Sequence, residues 1–208
     1  MAETEQSQDV AGPAAASFEG LGAAAAKAGA KAGGLGPAPV HLWNPPFCGD
    51  IGMRIARDGT WFYQGTPIGR PAMVRLFASI LRRDPDRFVL VTPVEKVAIE
   101  VEDAPFLAVE MTVDEGPAGP SLRFRTNIDD EVVADATHPL RFAPGPSGGL
   151  KPYILVRGGL EALVTRPLFH DLVARGETRD IDGAPLYGVA SAGVFFPMAP
   201  AGDLEDLA

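Results

Sequence analysis

An α+β fold built from a duplicated motif is predicted by three observations. Short stretches in which apolar and polar residues alternate recur along the chain, the period of half-buried strands. Two segments open with proline and then carry apolar residues at helical spacing. A Gly-containing turn, a strand, an Arg-Pro pair and a helix also follow one another twice. The first copy begins at Arg57-Asp58-Gly59 with its helix after Arg70-Pro71, and the second at Arg157-Gly158-Gly159 with its helix after Arg166-Pro167. With 208 residues, of which 46% are hydrophobic, the chain has enough apolar side chain to bury a core, and its 24 Gly and 20 Pro supply many turns.

Taken in order, residues 1–40 read as a flexible Ala/Gly-rich arm. The run from Gly20 to Pro39 has almost no large side chain to bury, a lone turn over Ala23–Ala26 is marginal in water, and nothing before Pro37 is expected to matter for folding. No basic start followed by a continuous apolar stretch marks an export signal. Residues 41–103 form the N-terminal α+β half. His41 to Asp50 is an extended lead-in, Met53 and Ile55 begin a hairpin completed by Trp61-Phe62-Tyr63, and Pro71 starts a helix whose face is Met73, Val74, Phe77, Ile80 and Leu81. Arg75, Ser79, Arg82 and Arg83 occupy its other face, and Asp84-Pro85 ends it. Strands follow at Phe88–Val91 and at Val97, Ile99 and Val101. Residues 104–202 form the C-terminal, strand-rich α+β half. Leu107, Val109, Met111 and Val113 alternate inward, as do Leu122 and Phe124. Tyr153–Val156 and Leu160–Val164 make a hairpin, and Leu168, Phe169, Leu172 and Val173 face inward from the second helix, which ends at Gly176. Residues 203–208 are an acidic tail. The boundary between halves falls near Glu102 to Phe106, and the seam is the natural place for a pocket.

The composition excludes several function classes. With 18 Lys+Arg against 27 Asp+Glu the formal charge is -9, so duplex nucleic acid, whose binding depends on neutralising phosphates, is not an expected partner. A membrane is not expected either, since every apolar run is cut by charge, Gly or Pro. The single Cys48 cannot close an intramolecular disulfide, and a reducing cytoplasm is its simplest setting. No phosphate-loop, dinucleotide, hydrolase or zincin motif occurs, and no cofactor or resident metal is expected. Cys48 with His41 and Asp50 offers a thiol, an imidazole and a carboxylate at a spacing that fits no nucleophile or zinc motif, which leaves a Cys48-centred enzyme as the third alternative. The acidic runs Glu102-Asp103, Asp114-Glu115 and Asp129-Asp130-Glu131 read as solvated turns.

What remains is a group of polar residues at strand ends. Thr92, Glu95 and Lys96 lie between two strands, and Arg125, Thr126 and Asn127 close another. Arg offers a planar fork for phosphate or carboxylate, Lys a point charge, Thr and Asn hydrogen bonds, and Trp43 a stacking face. Each also has an ordinary role in a turn, an ion pair or the core. Converging on the seam, they would hold a small anion on an otherwise acidic body. A binding module without a small ligand is the second alternative.

Blocks at His41–Asp50, Arg57–Trp61, Pro67–Pro71, Leu90–Lys96, Val101–Phe106 and Phe124–Asn127 resemble the bacterial domain of unknown function 1285 family, from about His41 to Gly176 and into the strands beyond. The resemblance implies a duplicated α+β core whose C-terminal half is superficially similar to pleckstrin homology-like folds. It further implies a nucleotide-like ligand between the halves, a role in signal transduction and a signalling protein as partner.

Overall fold

The computed structural model describes residues 18–31, 37–116, 119–145 and 148–203. The first half contains β1 (Phe47–Ile55), β2 (Trp61–Tyr63), β3 (Thr66–Pro67), α2 (Pro71–Ser79), β4 (Leu81–Arg83), β5 (Phe88–Val91) and β6 (Lys96–Val101), preceded by α1 (Phe18–Lys31). The second contains β7 (Phe106–Gly116), β8 (Gly119–Thr126), β9 (Glu131–Val133), β10 (Leu140–Pro144), β11 (Leu150–Arg157) and β12 (Leu160–Val164), then α3 (Arg166–Ala174). The meander β13 (Glu177–Ile181), β14 (Ala184–Ser191) and β15 (Val194–Pro200) closes the chain.

The duplication is explicit in the two six-stranded sheets, ordered β3-β2-β1-β6-β5-β4 and β10-β11-β12-β7-β8-β9. Numbered within each half, both read 3-2-1-6-5-4. Two antiparallel meanders are joined where the first strand lies parallel to the last, β1 beside β6 and β7 beside β12. The segments aligned in the sequence are nevertheless not equivalent. Arg57-Asp58-Gly59 joins strands one and two of its half, whereas Arg157-Gly158-Gly159 joins strands five and six. Helix α2 sits between strands three and four, and α3 follows strand six. Proline-opened helices and Gly turns look alike wherever they occur, so they carried the resemblance to the wrong strands.

Three local expectations change for physical reasons. Helix α2 stops at Ser79, whose hydroxyl donates to the Leu76 carbonyl at 2.7 Å, and Leu81–Arg83 leaves the helix to pair with Phe88–Leu90. On β7 a bulge between Ala108 and Glu110 switches the inward face, so Phe106 and Ala108 are buried while Val109 is exposed. Over Phe18–Lys31 the flexible arm gives way to a helix that docks. Leu21 and Ala25 are fully buried, and the Phe18 ring lies 4.6 Å from Tyr63 and 5.2 Å from Phe77. Small residues let α1 approach α2 closely, and one Phe and one Leu supply the apolar area that the Ala/Gly run lacks. The remainder of the arm, residues 1–17 and 32–36, lies outside the described residues, as does the acidic tail from 204 onward.

The two halves share one apolar cluster, which runs from Ile55, Trp61 and Phe77 to Phe106, Phe124 and Ile154. Polar contacts also cross the seam. Arg75 of α2 pairs with Asp129 at 3.0 Å, and Arg157 donates to the Ala78 carbonyl at 3.0 Å. Gly59 (φ +78) tightens the β1–β2 turn against the second half. A Cβ there would stand 2.8 Å from Asn127 Nδ2, so this close approach of the halves requires glycine. Among the described residues no helix is long and apolar enough to cross a membrane.

Candidate functional site

Two of the expected ligand-binding residues, Thr92 and Thr126, are fully buried and shape turns. The Thr92 hydroxyl accepts from the Val94 and Glu95 amides at 3.4 and 3.2 Å, and that of Thr126 accepts from Asp130 at 3.0 Å. Glu95 belongs to the Thr92 turn, its carbonyl taking the Thr92 amide at 2.9 Å. Asn127 clips the start of β7, accepting from the Leu107 amide at 3.0 Å and donating its own amide to the Leu107 carbonyl at 2.9 Å. Arg125 is held by Glu110 (Nε to Oε2, 2.9 Å) and by Asp129 at 3.4 Å, and the Glu110 hydrogen bond raises its pKa. Lys96 pairs with Asp84 at 3.1 Å, and Trp43 is part-buried against the core.

These residues form two groups. Lys96 opens β6 opposite Phe47, whereas the far end of β6, Val101 opposite Ile55, leads toward Gly59 and Asn127. A six-residue strand separates the groups, roughly 17 Å at 3.3 Å per residue. The structure therefore brings Trp43, Thr92, Glu95 and Lys96 together at one end and Arg125, Thr126 and Asn127 at the other.

A groove of about 480 Å³ does lie on the seam, beside the first group. The first half contributes the segment from Pro37 to His41, Ser79 and Leu81–Arg83, and the second contributes Arg157, Gly158 and Leu160. Its position follows from local events already described. The exit of the chain from α2 into β4 puts Arg82 and Arg83 on a strand. The Ala38 amide then fastens the incoming segment to the Ser79 carbonyl at 3.0 Å.

The groove's charges are arranged in three different ways. Arg82 gives Nε and Nη2 to Asp84 (2.7 and 3.3 Å) and Nη1 to the carbonyls of Val40 and Trp43 (2.9 and 2.7 Å). Burial pushes the Asp84 carboxyl up, but the hydrogen bonds from Arg82 and Lys96 outweigh it and hold it below its ordinary value. Trp43 thus stands one contact from the groove, through Arg82, and Lys96 two, through Asp84 and Arg82. Arg157 pairs with Asp130, donates to Ala78 and lies 5.0 Å over the Phe106 ring. Burial lowers its pKa to about 10, which leaves it a cation at neutral pH. Arg83 is exposed, with its guanidinium 4.3 Å above the Phe88 ring and no carboxylate paired to it among the described residues. Among the described residues no acidic residue lines the groove.

The acidic runs read as solvated turns are largely ion-paired. Glu102 meets Arg54, Asp114 meets Arg123 at 3.0 Å, Asp129 meets Arg75 across the seam, and Asp130 meets Arg157 within the second half. Asp103 takes Lys151 and the Tyr153 hydroxyl (2.7 Å). Burial raises the Asp103 pKa and those two hydrogen bonds bring it below the ordinary value. Cys48 Sγ donates to the Pro46 carbonyl at 3.6 Å and Asp50 accepts the Gly52 amide at 2.6 Å, so neither side chain serves the other. Among the described residues no group of His, Cys, Asp and Glu could hold a metal ion.

Arg82, Arg83 and Arg157 escaped the sequence reading. Arg82 and Arg83 continued a helical pattern, and the signal against it was Asp84-Pro85-Asp86-Arg87 followed by Phe88–Val91, a turn and strand able to pair backward. Arg157 was read only as the start of a turn.

Comparison with known proteins places residues 38–198 in one family. The domain of unknown function (DUF1285), N-terminal domain, matches residues 38–104, and the C-terminal domain of the DUF1285 protein of unknown function matches 105–198. The chain is 56% identical to a DUF1285 family protein from Silicibacter pomeroyi DSS-3 whose crystal structure is known. That comparison has a TM-score of 0.77 and covers 82% of this chain and 92% of that one. A second crystal structure, of a DUF1285 family protein from Shewanella baltica OS155, is similar at 30% identity and a TM-score of 0.47, over 60% of this chain and 91% of that one. No curated protein matches the chain.

Proposed function

We propose that this chain, which belongs to the DUF1285 family, is a ligand-sensing module that takes a small anionic molecule into the groove between its halves and passes its occupancy to a signalling partner. One observation carries the reading: the groove is walled by both halves, lined by three arginines and, among the described residues, by no acid, on a chain of formal charge -9. An acidic protein concentrates donors in this way where it holds an anion. Arg157 supports the sensing role, since it bonds to Ala78 of the first half and Asp130 of the second at the edge of the groove. A ligand that favours one arrangement of this contact shifts the population of both halves.

The test is a panel of small organic anions screened by thermal shift, with the hits mapped by amide chemical shifts on the full chain. Perturbations at Arg83, Leu160 and Ala78 are expected. Hits that map instead to Arg125 and Asn127 would move the site to the other end of β6. A separate observation favours the interaction-module reading. Leu42, Phe47 and Val94 are 72%, 47% and 68% exposed, and Phe47 and Val94 sit at the same end of the first sheet. Under that reading no small anion perturbs the groove.

A further inference from the structure

We infer that the occupant of the groove is a small carboxylate with an apolar body, its carboxylate held by Arg83; this rests on the groove being the ligand site. The three arginines are not equivalent donors. The Arg82 guanidinium is spent on one carboxylate and two backbone carbonyls, and that of Arg157 on Asp130 and the Ala78 carbonyl. Arg83 alone presents an exposed fork with no carboxylate partner among the described residues, its ring contact with Phe88 leaving the guanidinium edge open. Its stem passes the β11–β12 turn, where a Cβ on Gly159 would meet it at 3.7 Å, so the free cation sits against the second half. A single planar fork matches a single carboxylate in bidentate geometry.

The rest of the groove selects the body of the ligand. Pro37, Val40, Leu81 and Leu160 are apolar, the Ser79 hydroxyl already donates to Leu76, and exposed His41 is the remaining polar side chain of the lining apart from the arginines. A nucleotide base or sugar placed here would leave its hydrogen-bonding groups unpaired, a cost that an alkyl or aryl body does not carry. A polyphosphate would bring several negative charges to one uncommitted arginine on an acidic chain. The volume of about 480 Å³ is within the range of small-molecule sites. The ligand class therefore falls within the small anions of the proposed function and departs from the nucleotide-like molecule that the family resemblance implied.

The experiment titrates the full chain with octanoate, octanol, AMP and ATP, reading dissociation constants by calorimetry and location by amide shifts. Octanoate is expected to perturb Arg83 and Leu160 and to bind at least about tenfold more tightly than the other three probes, the contribution of one charged hydrogen-bonded pair. Arg83→Gln should weaken octanoate by about tenfold and leave octanol unchanged. Should that variant fail to fold, Val40→Asp sets a carboxylate beside the ligand and should abolish octanoate binding. AMP or ATP binding in the groove as tightly as octanoate would overturn the carboxylate class while leaving the groove as the site. Octanoate affinity unmoved by Arg83→Gln would overturn the role of Arg83, and affinity unmoved by Val40→Asp would put octanoate outside the groove and overturn the inference. A groove untouched by all four probes would overturn the site reading together with the inference. Tighter binding of a peptide with an apolar C-terminal residue and a free carboxylate would give the groove to a protein partner and overturn the small-molecule inference.

Discussion

The two halves of this protein share a strand order and differ in where they place their helix. The first inserts α2 between its third and fourth strands, and the second runs from β9 to β10 without a helix and sets α3 after its last strand. The repeated feature is therefore the pair of meanders joined by parallel first and last strands, and helix position is free to vary around it. The variation has a consequence for the site. Because α2 ends beside the seam, its last residue and the strand after it supply Ser79, Leu81, Arg82 and Arg83 to the groove, and the Ala78 carbonyl holds Arg157. The second half contributes a turn at the same place.

The comparison can be broken most forcefully in the core. Trp61 and Phe124 lie on the second strand of each half, 1% and 0% exposed. Trp61→Ala and Phe124→Ala should each cost about 3–5 kcal/mol, the usual result of emptying a buried aromatic site. Scanning calorimetry should show a single transition that either variant lowers, since one apolar cluster spans both halves. Two transitions, each answering to only one variant, would make the halves independent domains.

The helix that only the first half possesses gives the next largest effect. Leu21→Ala in α1 should cost about 2 kcal/mol, equivalent to roughly 4–8 °C in the thermal midpoint of a chain this size. An unchanged midpoint would return residues 18–31 to the status of an optional arm.

The smallest effect concerns the carboxylates Asp84 and Asp103, one within the first half and one at the join. Both are held below the ordinary value of 3.8. A depressed folded pKa contributes stability that is complete above the unfolded value and is lost as pH falls through the folded one. Denaturant midpoints should accordingly hold steady from pH 7 to about pH 5 and decline below about pH 4. Asp103→Asn should flatten part of that decline. An unaltered acid profile in the variant would show that Lys151 and Tyr153 do not set it.

The legibility of the chain varied with the kind of information each element needs. Helix α3 was readable because Arg166-Pro167 opens it and Phe169 and Leu172 mark its buried face within nine residues. Strand β8 was readable because Leu122 and Phe124 alternate with Arg123 and Arg125. Helix α1 was not, because its Ala/Gly sequence has helical propensity but acquires a reason to dock only when Phe77 and Tyr63 arrive from other elements. The end of α2 was hidden for a related cause, since Leu81-Arg82-Arg83 extends a helical pattern until Phe88–Leu90 pairs with it. Six of the expected site residues, Thr92, Glu95, Lys96, Arg125, Thr126 and Asn127, do lie at strand ends or in the turns between strands, but the fold divides them between the two ends of β6. Unlike Arg83, Arg125 and Lys96 have acidic partners, Glu110 and Asp84, that lie 15 and 12 residues away.

By itself the sequence determined the α+β class, the existence of a duplication, the family and most strand and helix cores. Each of these rests on periodicity, turn chemistry or residue blocks that a short window of chain contains. Only the tertiary structure decided which strands are equivalent, that α1 packs, and which arginine remains uncommitted at the seam. Those outcomes depend on contacts such as Arg157 with Ala78, 79 residues apart, and side-chain type carries no information about a partner that the fold has yet to bring near.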